Sequence, residues 1–443
     1  MWGTTPTIPA GTVRAVNRLT ARWAHATATA TATTGAPDAV APATPATPEL
    51  HAPTGTVLSA AGLWPLLGFL ADGAAGAARA ELEEALGLRA EEAGGAARGL
   101  LAALSAIPGS TAAVGLWARH DLKVREEWRA GLPGTAFGRL GGEGPEADQR
   151  RLDAWAAEHT DGLIPTMPVT VREDTELVLA VAQALRTRWI RPFRPGLLSP
   201  EAGPWAGREL VGLHRSTSLL DRVGVAEAPF GPLTVLRVLG NTGVDVHLLL
   251  GPEEADGGAV LSAGIELLSG ARKAVPGDLL PLGTPGPGLR VGLRLSETRE
   301  PSLDVSTSPF SLTSDHDLLS HAGLLGLTAA CVPDPAPLPG VSEEPLVVEG
   351  AQQTAVARFD ARGFEAASVS AMAAVGCGMP DRWYRVRSVK LDIDRPFGFL
   401  AVHRTSRLVL SAGWVAEPVP YDEDDVVDPY EDEHEDGDED GDA

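Results

Sequence analysis

A run of small side chains lies late in this chain, between two stretches patterned as strands. Residues 363–380 read GFEAASVSAMAAVGCGMP: a glycine entry, no charge from Ala366 to Pro380, and a Gly/Pro-rich exit. Taken alone, the run fits an alanine-rich helix closed by a glycine C-cap. It also fits an extended segment able to enter a sheet, because alternate side chains are small. One face would carry Phe364, Ala366, Ser368, Ser370, Met372, Ala374 and Gly376, the other Glu365, Ala367, Val369, Ala371, Ala373 and Val375. The flanking segments decide between the two.

The order along the chain is helical first, then rich in strands. Val13, Val16, Leu19 and Trp23 share a face of a first helix over about 12–30. Residues 26–53 are repetitive Ala, Thr and Pro, the composition of an exposed, extended insertion. Val57 to Ala71, Gly76 to Leu88 and 94–106 read as three helices, LDAWAAEHTDG as a fourth. TAAVGLWARHDLKV and TELVLAVAQALRTRWI read as strands. From Leu210 to Leu250, apolar runs alternate with Gly and Pro turns at the spacing of an antiparallel sheet. Residues 315–327 read as helical and 343–360 as a strand, and FGFLAVH and LVLSAGW make a closing strand pair. The class is α+β.

Charge and cysteine content remove several functions. The net charge is −23, but the block from Tyr421 to Ala443 holds 14 acidic residues and no Lys or Arg, leaving −9 for the remainder. A folded body without a basic stripe has nothing to meet a phosphate backbone, so no nucleic-acid partner is expected. The tail should repel itself out of any compact structure, either as solubilising disorder or to steer a basic partner. Two cysteines, Cys331 and Cys377, make no disulfide framework. The longest apolar stretch, Leu58 to Ala71, is interrupted by Pro65 and is shorter than the roughly 20 residues a membrane span needs, so no membrane partner is expected. The N-terminus shows no basic segment leading into an apolar run and cleavage site, which points to a cytoplasmic location. No nucleotide, metalloprotease, hydrolase or calcium-loop motif occurs. No cofactor, metal site or catalytic residue is therefore assigned, and the chain is not expected to be an enzyme.

Several segments together resemble one family. TVLSAAGLWPLLGFLADGAAGAARAELEEALGL, VGLWARHDLKVREEW, LDAWAAEHTDGLI, LVLAVAQALRTRWIRPF ending at Trp189, the Glu365-Ala366-Ala367 triplet after Gly363, and RPFGFLAVHRTSRLVLSAGWVAEP fall in the order found in serpins. The resemblance spans about residues 12–420. It implies a serpin-like fold of mixed β-sheets with about eight to nine helices and an exposed reactive-centre loop over 363–388, a monomeric body at 12–420, and an acidic tail at 421–443. Family members are often extracellular, which leaves that compartment open as well.

The implied function is inhibition of serine or cysteine endopeptidases. The protease attacks the loop, and the cut loop enters the main sheet as a strand before water can release the enzyme. The resemblance assigns Gly363, Phe364, Glu365, Ala366, Ala367 and Ser368 to the hinge. It assigns Ser59, Val181, Trp189 and Gln353 to the region where the sheet must open. The cleaved bond is Cys377-Gly378 when counted from the hinge, or lies near Arg382 or Arg385 when counted back from Pro396-Phe397. Phe364 stands where inhibitory members carry Thr or Ser, and overpacking there would slow insertion at a cost of ~1–3 kcal/mol. That favours the alternative of a non-inhibitory binding or structural serpin whose loop is cleaved as a substrate. Val181, Gln353 and Gly62 replace the family's Asn, His and Ser, so a hydrogen-bond network that closes the sheet is expected to be missing.

Overall fold

The computed structural model describes residues 8–33, 55–133, 136–364 and 383–421. The first part of the chain is mainly helical: α1 (Ala10–Thr33), β1 (Gly55–Leu58), α2 (Ala60–Gly73), α3 (Gly76–Leu86), α4 (Ala90–Ser105), β2 (Ser110–Arg119), α5 (Glu126–Ala130), β3 (Ala136–Leu140) and α6 (Pro145–His159). Strands dominate the middle: β4 (Leu177–Leu185), β5 (Thr187–Arg188), β6 (Arg194–Leu198), β7 (Leu210–Thr217), β8 (Val223–Ala228), β9 (Gly231–Leu239) and β10 (Val244–Leu250). After α7 (Gly257–Ser269) come β11 (Ala274–Pro276), β12 (Gly283–Gly286), β13 (Leu289–Ser296), β14 (Ser302–Thr307) and β15 (Phe310–Asp317). The chain closes through α8 (Ala322–Leu325), β16 (Gln352–Phe359), β17 (Gly363–Phe364), β18 (Tyr384–Asp392), β19 (Phe397–His403) and β20 (Val409–Val415).

Four sheets share one core. Strands β1-β20-β19-β10-β9-β8-β11 form the largest and β12-β13-β18-β14-β7-β6 the second. The other two are β3-β2-β4 and β15-β16-β17-β5. Helix α2 buries Leu63, Trp64, Leu67 and Phe69 in the core. It packs against α4 at Gly68, where a Cβ would stand 3.0 Å from that of Ala97, so the missing side chain lets the helices approach.

Strand β4 is apolar on both sides because both sides are covered. Val178, Ala180 and Ala182 face the cluster built under α6, where Trp117 and Trp155 meet edge to face at 5.0 Å. Leu177, Leu179 and Val181 pack on the main core. That is why LVLAVAQAL reads as a near-continuous apolar run instead of an alternation.

Four sequence expectations need correction. Helix α1 continues through the start of the Ala/Thr repeat to Thr33, since alanine-rich chain extends a helix already anchored by Trp23. The segment from Val57 opens as strand β1, and helix α2 begins only after Ser59, whose hydroxyl caps it by accepting from Gly62 N at 3.1 Å. Residues 310–317 form a strand, paired along its whole length with β16; a 3-10 turn follows at 318–321 and α-helix at 322–325. There the period-two burial of Phe310 and Leu312 outweighs local helical propensity. The strand expected over 343–360 is confined to Gln352–Phe359. The rest of the 26–53 insertion and residues 422–443 of the tail lie outside the described residues.

Candidate functional site

The two smaller sheets sit side by side as halves of one five-stranded arrangement, β3-β2-β4 and β16-β15. Among the described residues no ladder joins β4 to β16. Between them lies a cavity of about 80 Å³ lined by Ser59, Val181, Gln183, Gln353, Ala355 and Phe364 among others.

At one end of this cleft the gap is bridged by β17. Phe364 pairs with Phe359 of β16, and Gly363 and Phe364 pair with Arg188 and Thr187 of β5. Both pairings are antiparallel. Gly363 and Phe364 are therefore already paired as a strand beside the cleft.

A compact turn holds it there. Asp360 Oδ1 accepts from Arg362 N at 2.8 Å and Gly363 N at 3.0 Å, while Asp360 N donates to Gly363 O at 3.0 Å. An aspartate accepting from backbone amides two and three residues on is common turn chemistry, so the Asp-Ala-Arg-Gly stretch carried a signal that the sequence reading passed over. Trp189, which the resemblance placed in the opening region, clamps the same turn. Its Nε1 donates to Asp360 O at 2.9 Å, its amide donates to Arg362 O at 2.8 Å, and its ring lies 4.9 Å from that of Phe359.

Phe364 is packed in the intact chain. The side chain is 2% exposed, in the main core, with its ring 6.2 Å from that of Phe399. Volume for the ring is built into this aromatic cluster, which also stacks Phe310 on Phe359 at 5.3 Å.

Polar residues tie the halves together lower down. Gln353 of β16 grips the Ser59 backbone twice: Nε2 donates to Ser59 O and Oε1 accepts from Ser59 N, each at 3.0 Å. The Ser59 hydroxyl lies 2.7 Å from Leu410 O and 3.1 Å from Gln183 Oε1 on β4, and its one proton serves one of these acceptors. A network between the halves is thus present, with different members from those expected. Gln183 does what the apolar Val181 cannot. Gly62 makes room for it, since a Cβ there would stand 3.0 Å from Gln183 Oε1. Gln183 went unnoticed because one glutamine in an apolar strand has no motif of its own.

Of the assigned residues, Ser59, Val181, Gln353, Gly363 and Phe364 come together at the cleft, with Trp189 at its end. Arg385 is elsewhere, in β18 opposite Leu295 of β13. Glu365, Ala366, Ala367, Ser368, Cys377, Gly378 and Arg382 lie outside the described residues.

Residues 46–202 and 291–418 match the family Serpin (serine protease inhibitor). The chain belongs to this family. A rice serpin, serpin-Z6C of Oryza sativa subsp. japonica, is 26% identical over 394 residues, covering 82% of this chain and 90% of that protein. Human thyroxine-binding globulin in complex with its hormone shares the fold with a TM-score of 0.64 at 16% identity, covering 93% of this chain and 98% of that one. A serpin from the trematode Schistosoma haematobium gives 0.61 at 14% identity, covering 92% and 100%. The architecture is the serpin fold, as the sequence resemblance implied. Serpins are in general protease inhibitors and not enzymes, while the thyroxine-binding neighbour shows that the fold also serves other ends. Among the described residues no helix is long and apolar enough to cross a membrane.

Proposed function

We propose that this serpin inhibits a serine-type endopeptidase by taking its own cut loop into the cleft between β4 and β16. The observation that carries the reading is β17, a two-residue strand antiparallel to both neighbours at the mouth of that cleft. A strand that continues in this direction needs no reversal of the chain. Each residue forward on the loop meets one residue back on each neighbour. Ala366 then falls opposite Ala357 and Leu185, Ser368 opposite Ala355 and Gln183, and Ser370 opposite Gln353 and Val181.

Phe364 faces the core, so the even-numbered residues face it too. They are Ala, Ser, Ser, Met and Ala from 366 to 374, small enough for a cleft lined by Val181, Gln183 and Ala355. Ser368 and Ser370 arrive beside Gln183 and Gln353, where their hydroxyls have partners. Glu365, on the outer face, arrives between Arg358 and Arg186.

In the reaction, a protease serine attacks the loop carbonyl and is left as an acyl-enzyme on the new C-terminal end of the hinge segment. Insertion then carries that end away from the mouth of the cleft with the enzyme attached. The loop bond we assign is Cys377-Gly378. Arg385 is a poor candidate because its peptide is bonded into the β13-β18 ladder, whereas a protease needs an extended, accessible chain. Acting as an inhibitor, the chain needs no catalytic residue or cofactor of its own.

The test is incubation with a panel of serine proteases followed by a denaturing gel and mass spectrometry. A complex that survives denaturation, with the released fragment starting at Gly378, is expected. Clean cleavage by every protease, with no complex, would leave the non-inhibitory reading standing.

A further inference from the structure

Behind the hinge support lies a second cavity, of about 330 Å³, whose walls include Arg191, Arg194, His214, Arg215, Ser216 and Asp304. Strands β6, β7 and β14 form its floor, in register: Arg194 stands opposite His214, and Arg215 opposite Val305. The walls of this cavity thus carry three arginines and one carboxylate, with Arg191 close enough to Arg215 to act on its charge.

The charges are not matched within the protein. Asp304 accepts from the Ser216 hydroxyl at 2.6 Å, and among the described residues no carboxylate lies within ion-pair distance of Arg191, Arg194 or Arg215. Arg215 lies over the Phe193 ring at 4.3 Å and donates from Nη1 to Arg191 O at 3.1 Å. Its Nε is buried and has no partner. Burial, with Arg191 and Arg222 close by, pulls its guanidinium down to about 10, so at neutral pH the cation stays charged without compensation. A buried, unpaired donor on a charged group is among the costlier arrangements in a folded protein, and an oxyanion relieves it.

The other polar side chains on the walls are already committed. His214 Nε2 lies 3.0 Å from Leu197 O and Nδ1 3.3 Å from the Ser306 hydroxyl. What remains unmet is positive charge and planar N–H donors spread over more than one wall. That suits an anion with three or more acceptor oxygens better than a single carboxylate, and arginine is the residue that recognises such groups.

We propose that this cavity is a binding site for a tetrahedral oxyanion of the phosphate or sulfate class, held by Arg191 and Arg215 with Arg194 on its wall. The site does not depend on loop insertion and can be tested apart from it. The intact chain is titrated with inorganic phosphate and, separately, with long-chain polyphosphate, at fixed ionic strength in chloride, while thermal unfolding is followed. A saturable rise in unfolding temperature is expected, since a ligand of the folded state stabilises it by mass action.

Arg191→Gln and Arg194→Gln replace exposed side chains. Each should weaken the response roughly 10- to 100-fold, read as the shift from that variant's own unfolding temperature in chloride. A response to both anions identifies a small phosphate-like ligand, and a response to the polymer alone identifies a polyanionic chain; both support the site when the variants lose it. No saturable shift with either anion, or a shift that both variants retain, would overturn the proposal.

Discussion

Gln353 holds Ser59 by both backbone atoms, its amide donating to the carbonyl and accepting from the N–H at 3.0 Å each. The contact links β16 to the start of α2, and the Ser59 hydroxyl extends it toward Gln183 on β4. Gln353→Ala leaves two backbone groups in need of partners. We expect it to lower unfolding stability by about 1–3 kcal/mol, measured by denaturant titration of the intact chain. A change below about 0.5 kcal/mol would mean that water replaces the amide at no cost.

Phe364 is a core residue in the intact chain. Phe364→Thr should destabilise the intact protein by about 2–4 kcal/mol, as expected when a buried ring is truncated. Because the ring already occupies its place between β16 and β5, the proposed insertion would start below it. The ratio of trapped complex to cleaved serpin should therefore not rise in this variant. A clear rise would restore the view that the ring obstructs entry.

The register assigned to the inserted strand can be broken at one residue. Ser368→Arg would place a charge on the core-facing side opposite Ala355, where burying it unpaired costs several kcal/mol. Loop cleavage should continue at its normal rate while trapping disappears. Should the arginine variant trap protease as well as the parent, the face assignment is wrong.

His316 gives the body a defined acid response. Burial lowers its pKa, opposed by the bond its Nε2 makes to Val57 O at 2.7 Å; its ring also lies edge-on to Trp23 at 5.1 Å. A histidine depressed in the folded state binds its proton more readily when unfolded. Its contribution is thus complete above the ordinary histidine value of ~6.5 and lost as pH falls below it. His316→Gln should flatten the decline in stability below about pH 6.5, followed by chemical denaturation at a series of pH values. An unchanged slope would assign the response to other groups.

The sequence announced the large features through periodicity. The apolar runs of β4, β19 and β20 and the face of α1 were readable because burial on a sheet or helix imposes a repeat. What escaped was set by contacts distant in the chain. Strand β13 has Leu293 and Leu295 exposed and is defined mainly by its pairing with β18, which no local pattern reveals. Residues 310–317 carried mixed signals that pairing with β16 resolved. The Ser59-Gln183-Gln353 link joins residues 294 positions apart at its widest, each unremarkable in its own segment.

Thermal unfolding of the intact serpin and of the same protein cut once in its loop compares the two states directly. A cut chain that fills the cleft gains a strand bonded on both sides, so its unfolding temperature should rise, on the order of 10 °C or more for a gain of several kcal/mol. An unfolding temperature that stays the same or falls after cleavage would contradict insertion between β4 and β16.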